Sequence, residues 1–269
     1  MVTTACGPSP TPGEKALHTA QDRLTDINSG TLDFTMLASS SESAATSGVG
    51  FTVAGPFAVA RTKGELPRGD LSYTRITGTN RSTTRVLTTA RHAYAYVDGN
   101  AYQLADAQVK GLRSNGGGDG GGLEGLDFTD WLSKPVVKAG PVIDGVATQS
   151  ISGTVDSVGA LNDILGLAQE FGSSAKDYPD AIASSDKDAV RSAVRGVDLQ
   201  LLVGKSDHLL RRFRLAITMA VSKQDRLRAA LKRLAGVQIS MDLAVKRVNR
   251  PVRISAPAHP RPASALPTS

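Results

Sequence analysis

At 269 residues the chain can bury a substantial core, yet aromatics make up only 4% of it, too few for a stacking platform that grips single-stranded nucleic acid or sugar rings. A single cysteine excludes an intrachain disulfide, and no run of about 18 apolar residues is present to cross a membrane as a helix. The net charge of +6 is concentrated late in the chain, where Lys205–Arg253 carries 13 basic residues against 3 acidic ones; this is a solvated positive face or a surface for anionic lipid headgroups or nucleic acid.

Residues 1–13 cannot pack a core. Cys6, after Ala5 and before a Gly/Pro/Ser/Thr stretch, has the layout of an acylated lipoprotein cysteine at the head of its tether. Thr3 departs from the Leu, Val or Ile usual at that position of the lipidation signal. Gly13–Ser29 reads as an amphipathic helix, with Leu17, Ala20, Leu24 and Ile27 on one face and Gly30 as its stop. Short strands follow at Thr31–Leu37, Gly48–Val53, Pro56–Thr62, Asp70–Thr77, Arg81–Thr89, Ala93–Val97 and Asn100–Leu104, spaced as in a meander. Val49, Phe51 and Val53 alternate cleanly, as do Leu71 and Tyr73. Asp98-Gly99-Asn100 is the strongest hairpin signal. Tyr94, Tyr96 and Tyr102 fall on its two arms, either as the rim of an oily pocket or as cross-strand pairs.

Asn115–Gly122 is too glycine-rich for a phosphate loop and reads as a surface loop. Leu123–Lys134 reads as a short helix carrying Trp131, ended by Pro135. Val137–Asp144 and Val146–Val155 form strands joined at Asp144-Gly145. Ser157–Phe171 is an amphipathic helix, Lys176–Ser184 a loop, and Ser185–Val194 a helix capped by Ser185. Gly196–Met219 is a long antiparallel hairpin. Its first arm places Val197, Leu199, Leu201 and Val203 on one face, and its second Leu209, Phe213, Leu215, Ile217 and Met219, around a Gly204-Lys205-Ser206-Asp207 turn. Leu202 and Leu210 break this pattern on the polar side and Arg211 on the apolar one. Ser222–Leu234 reads as a helix, Val237–Val245 and Val248–Ser255 as closing strands, and residues 256–269 as a tail without order.

Motifs for chemistry are absent. The four histidines have no partner at metal-ligand spacing, Gly204-Lys205-Ser206 lacks the rest of a phosphate loop, and no Gly-x-Ser-x-Gly occurs. Asp127 and Asp130 suit a helix start. The expectation is therefore no enzyme, no cofactor and no metal.

Three stretches converge on a family. Gly145-Val146-Ala147-Thr148-Gln149-Ser150-Ile151-Ser152-Gly153, the hairpin turn Val203–Arg211 and the Cys6 tether together resemble the LppX/LprG/LprA/LprF family of actinobacterial lipoproteins, related in architecture to the LolA/LolB carriers. The resemblance spans roughly residues 14–255. It implies an α+β fold in which one strongly curved antiparallel sheet, a half-barrel, has helices covering its concave side. It also implies a hydrophobic cavity for acyl chains and the carriage of lipid or glycolipid across the cell envelope without turnover.

The residues agree in one respect: a large sheet with one aliphatic face needs no polar motif to hold an acyl chain, since each buried CH₂ contributes about 0.8 kcal/mol. The candidate lining is Val49, Phe51, Val53, Leu71, Tyr73, Tyr94, Tyr96, Leu199, Leu201, Phe213 and Leu215. The expected organisation is a tether at 1–13, a lipid-binding domain at 14–255 and the tail. The expected setting is the extracytoplasmic face of the plasma membrane, anchored at Cys6. The chain is expected to act as a monomer, with an acylated lipid and possible contact with a membrane transporter, and no nucleic acid. The competing expectation is a non-catalytic envelope module that binds a partner protein or cell-wall polymer.

Overall fold

A computed structural model describes residues 9–40, 48–60, 62, 64–116, 127–171, 181–220 and 237–265. Cys6, the Gly117–Gly122 part of the glycine-rich loop, most of the Lys176–Ser184 loop and the Ser222–Leu234 helix lie outside them.

The long hairpin read from alternation is present as β9 (Val194–Gly204) and β10 (Leu210–Met219). Its partner is β11 (Val237–Lys246), which pairs in turn with β1 (Ser29–Ser40). The amino-terminal meander continues from β1 through β2 (Gly48–Ala58), β3 (Arg68–Gly78), β4 (Asn80–Thr88), β5 (Ala93–Val97) and β6 (Asn100–Gln103). On the other side β9 pairs with β8 (Val146–Val155), and β8 with β7 (Leu132–Ile143). The result is an open, curved, antiparallel sheet of eleven strands, ordered β6-β5-β4-β3-β2-β1-β11-β10-β9-β8-β7. Each half is a run of sequential neighbours, and the β1–β11 pair joins the two.

Register decides which side chains meet, because period-2 alternation commits a whole strand to one face. One row runs Leu201–Phe213–Leu243–Phe34–Val53–Tyr73–Thr84 across seven strands. The next runs Leu199–Leu215–Met241–Met36–Phe51–Arg75–Ser82, and a third Val197–Ile217–Ile239–Ala38–Val49–Thr77–Asn80. These rows form the inner face. The outer face carries the polar partners: Arg212 forms an ion pair with Asp242 at 2.5 Å, Arg214 approaches the same carboxylate at 3.2 Å, and Gln200 donates to Ser150.

Among the described residues four helices pack on the inner face: α1 (Pro12–Asp22) against β7 and β8, α3 (Phe128–Trp131) against β7, α4 (Ser157–Phe171) against α3, and α5 (Lys187–Ala193) against β9. Their apolar stripes, among them Leu17, Phe128, Leu161 and Val190, join the inner-face rows in one buried cluster. At its centre Phe128, Trp131 and Phe213 have ring centroids 5.0 to 5.7 Å apart, and the Trp131 indole donates to Asp163. Gly13 permits the α1–β7 approach, since a Cβ there would lie 1.8 Å from the Pro135 carbonyl oxygen. A separate small cluster of Leu66, Ala93 and Val109 seats α2 (Asp106–Gly116) at the far side.

Several boundaries differ from those that the sequence predicts. The first helix begins one residue earlier, where Thr11 and Glu14 form a reciprocal capping box, and ends at Asp22; a 3-10 turn follows, and Gly30 lies inside β1 rather than stopping the helix. Gly48–Val53 and the first three residues of Pro56–Thr62 merge into one strand, which ends at Ala58. Gly55, at φ +144°, bends it where a Cβ would meet the Asp70 carbonyl, and the β2–β3 ladder lapses there while β1–β2 continues. Val248–Ser255 is not a strand: left-handed Arg247 and Asn249 turn the chain out of β11, and Pro251 follows. Residues 257–265, expected without order, run to β6, where Arg261 makes a parallel bridge to Tyr102.

Candidate functional site

Nine of the eleven candidate lining residues share the inner face. Val49, Phe51 and Val53, with Leu199, Leu201, Phe213 and Leu215, lie in the three rows above, Tyr73 continues the first, and Leu71 pairs with Val86 on the same side. The register does not bring Tyr94 and Tyr96 to them. Tyr96 pairs with Arg85 on the outer face, where the guanidinium sits 4.3 Å from the ring centroid and grips Asp70 through bonds of 2.6 and 2.7 Å. That carboxylate pushes Arg85 up from its ordinary value. Tyr94 is buried on the same outer side beside His92. Of the three hairpin tyrosines only Tyr102 reaches the inner face, in the row Leu71–Val86–Ala95–Tyr102.

Burial divides the nine into two groups. Leu199, Leu201, Phe213 and Leu215 are at most 2% exposed, sealed beneath the helices. Val49, Val53, Leu71 and Tyr73 are only half-buried, together with Leu32, Val86 and Ala95. Phe51, itself buried, joins the groups through ring contacts to Phe34 at 5.6 Å and Tyr73 at 5.8 Å. The inner face is thus a packed core over β9–β11 and a partly exposed aliphatic trough over β2–β5. Burial pushes the Tyr73 phenol up, and the neighbouring Arg75 charge opposes it.

Polar chemistry lies elsewhere. Among the described residues no three His, Cys, Asp or Glu side chains converge as a metal site, and no helix is long and apolar enough to cross a membrane. A surface cleft of about 760 Å³ lies at one end of the sheet, bordered by Asn28, Ser29, Val59, Arg68, Asn249 and Val252. Another of about 430 Å³ lies between Gln103–Asp106 and Pro260–Ala263. Neither includes a residue of the apolar rows. Asp127, one of the acid pair, caps α3 by accepting from the Thr129 and Asp130 amides. Burial raises its carboxyl, but those bonds and the Thr129 hydroxyl outweigh it and hold the group below its ordinary value.

No protein-family model and no curated protein matches the chain. Among solved structures, the crystal structure of LprF from Mycobacterium bovis aligns with a TM-score of 0.50 at 16% identity, covering 94% of this chain and 100% of that one. The Mycobacterium tuberculosis lipoprotein LppX aligns at a TM-score of 0.42 and 10% identity, covering 90% and 97%. A LolA superfamily protein from Nitrosomonas europaea aligns at 0.21 and 10%, covering 88% and 94%. The first likeness covers nearly all of both chains: this chain has the fold of LprF.

Proposed function

We propose that this chain is a non-enzymatic carrier that holds an acylated lipid or glycolipid in the trough over β2–β5. The observation that carries this reading is the half-buried aliphatic surface of Val49, Val53, Leu71 and Val86, continuous with a buried core yet not sealed by it. A sixteen-carbon chain laid there gains on the order of 10 kcal/mol of gross burial, before ordering costs, with no polar contact. The likeness to a lipoprotein fold and the Cys6 tether support a chain anchored on the outer face of the plasma membrane, which passes its cargo onward across the envelope. It would act as a monomer and exchange lipid with a membrane transporter.

Native mass spectrometry of the full chain purified from an actinobacterial host tests this reading. The expected result is a stoichiometric mass increment that extracts into organic solvent as acyl lipid. Leu71→Trp and Val53→Trp, which fill the trough from half-exposed positions, should at least halve the loaded fraction while the circular dichroism spectrum stays unchanged. A clean unliganded mass from a lipid-rich host overturns the proposal in favour of an envelope module that binds a partner protein or cell-wall polymer.

A further inference from the structure

The trough is not apolar along its whole length. At Leu71–Val86–Ala95 the inner face is aliphatic across three strands. One step along, the row reads Val53–Tyr73–Thr84, and at the next Phe51–Arg75–Ser82. The second of these rows is apolar on five successive strands, from Leu199 to Phe51, and turns polar at Arg75. Arg75 is exposed, and the residues around it on this face are Tyr73, Thr77, Ser82 and Thr84, with no carboxylate among them. It has no acidic partner among the described residues, unlike Arg85, Arg211 and Arg212, each held by an aspartate. An arginine opposite Phe51 with hydroxyls beside it is a donor fork at the boundary of an oily surface. Four residues of extended strand separate Arg75 from Leu71, about 13 Å, which matches roughly ten carbons of an acyl chain.

Resting on the lipid-carrier reading, we infer that Arg75 fixes the orientation and selects the class of the cargo: an acyl lipid with an anionic group, phosphate or carboxylate. The anion sits on the Arg75 guanidinium with Ser82 and Thr84 beside it, and the chain runs toward Leu71 and Val86. Val49 and Thr77 pair on the far side of Arg75.

The test loads delipidated full-length protein with dioleoylphosphatidylglycerol, oleate or uncharged dioleoylglycerol and measures affinity by native mass spectrometry and displacement titration. The wild type should bind a charged lipid at least about tenfold more tightly than dioleoylglycerol, the scale of one charge-assisted hydrogen-bonded contact. Arg75→Gln should abolish that preference and leave dioleoylglycerol binding unchanged. Arg75→Lys should keep most of it. Preference for phosphatidylglycerol alone assigns a phosphate head, and preference for oleate alone a carboxylate. Equal binding of all three lipids by the wild type, or a preference that survives Arg75→Gln, overturns the inference while leaving the carrier reading intact. Binding of none of the three by the wild type overturns both.

Discussion

Asp242 shows how single residues keep the two faces of the sheet distinct. It accepts from Arg212 at 2.8 and 2.5 Å and from Arg214 at 3.2 Å, on the face opposite Met241 and Leu243. Burial pushes its carboxyl up, but the two guanidinium groups outweigh burial and hold it below the ordinary carboxylate value. A carboxyl depressed on folding stabilises the fold above its unfolded pKa, and that contribution is lost as pH falls through the folded value. Asp242→Asn should therefore cost roughly 1 kcal/mol at pH 7, a figure reduced for solvent screening of a partly exposed pair. The gap to wild type should narrow as pH falls below about 4. Urea titrations at pH 7 and pH 3 read both, and an equal gap at the two pH values would refute the assignment. The inner face offers a matching contrast. Leu201 is fully buried against Phe213, so Leu201→Trp should overpack the core and lower stability by about 1–3 kcal/mol, whereas Trp at Leu71 should act on loading. Alternation alone placed both leucines on one face. It could not say which was sealed, because that depends on helices distant in sequence. Two of the three breaks in the hairpin pattern, Leu210 and Arg211, have a local cause. A register shift between Leu210 and Arg212 lets Leu210 pair with Val203 and bury, and turns Arg211 into a buried partner of Asp207 at 2.5 Å.

At the scale of elements, the helix-packed end and the strap behave differently. Trp131 is the chain's sole tryptophan, so its emission reports the α3–β10 contact directly. Phe128→Ala removes a fully buried ring that touches both Trp131 and Phe213. It should cost about 3–5 kcal/mol and red-shift that emission. Thermal melts followed at the indole check both effects. Residues 251–262 form an irregular strap instead, with Ser29 bonding the Arg250 carbonyl at one end, Arg261 near the other, and a 3-10 turn at Ala263–Ala265 after it. Arg261 exchanges backbone bonds with Ala101 and Gln103 and donates to the Tyr102 hydroxyl at 3.2 Å. Arg261→Ala should speed amide exchange at Gln103 and Arg261's own position while leaving β9–β11 protected. Exchange unchanged at Gln103 would show that the backbone bonds alone hold the strap. The sequence showed β5 and β8 at their true bounds because turn chemistry brackets them. It hid α2, whose seat is Val109 against Leu66 and Ala93, and it hid the strap, whose prolines leave few backbone donors to signal any structure.

For the whole molecule, the decisive contact is β1 with β11, a ten-residue antiparallel pairing between the two ends of the domain. It could not be read locally, since each strand alternates in the same way and nothing in either sequence names its partner. Once made, it carries the apolar rows unbroken from β9 to β2, so the core under the helices and the trough share one surface. They do not share the same covering. β9–β11 rest beneath buried helix side chains, while the inner side chains of β2–β5 include Val49, Val53, Leu71 and Val86, all half-exposed. A cargo that binds only the folded chain stabilises it in proportion to its saturation, and it should do so where it adds contacts. Delipidated protein should therefore melt at a lower temperature than loaded protein. Its amide exchange should rise in β2–β4 and remain slow in β9–β11, whose protection comes from their own packing. Exchange that rises equally in both halves would mean that the sheet opens as one unit and that the trough is no separate region. Exchange that rises only under the helices would place the cargo in the core. The two-zone surface predicts the first pattern, because only over β2–β5 does removing an acyl chain return aliphatic side chains to water.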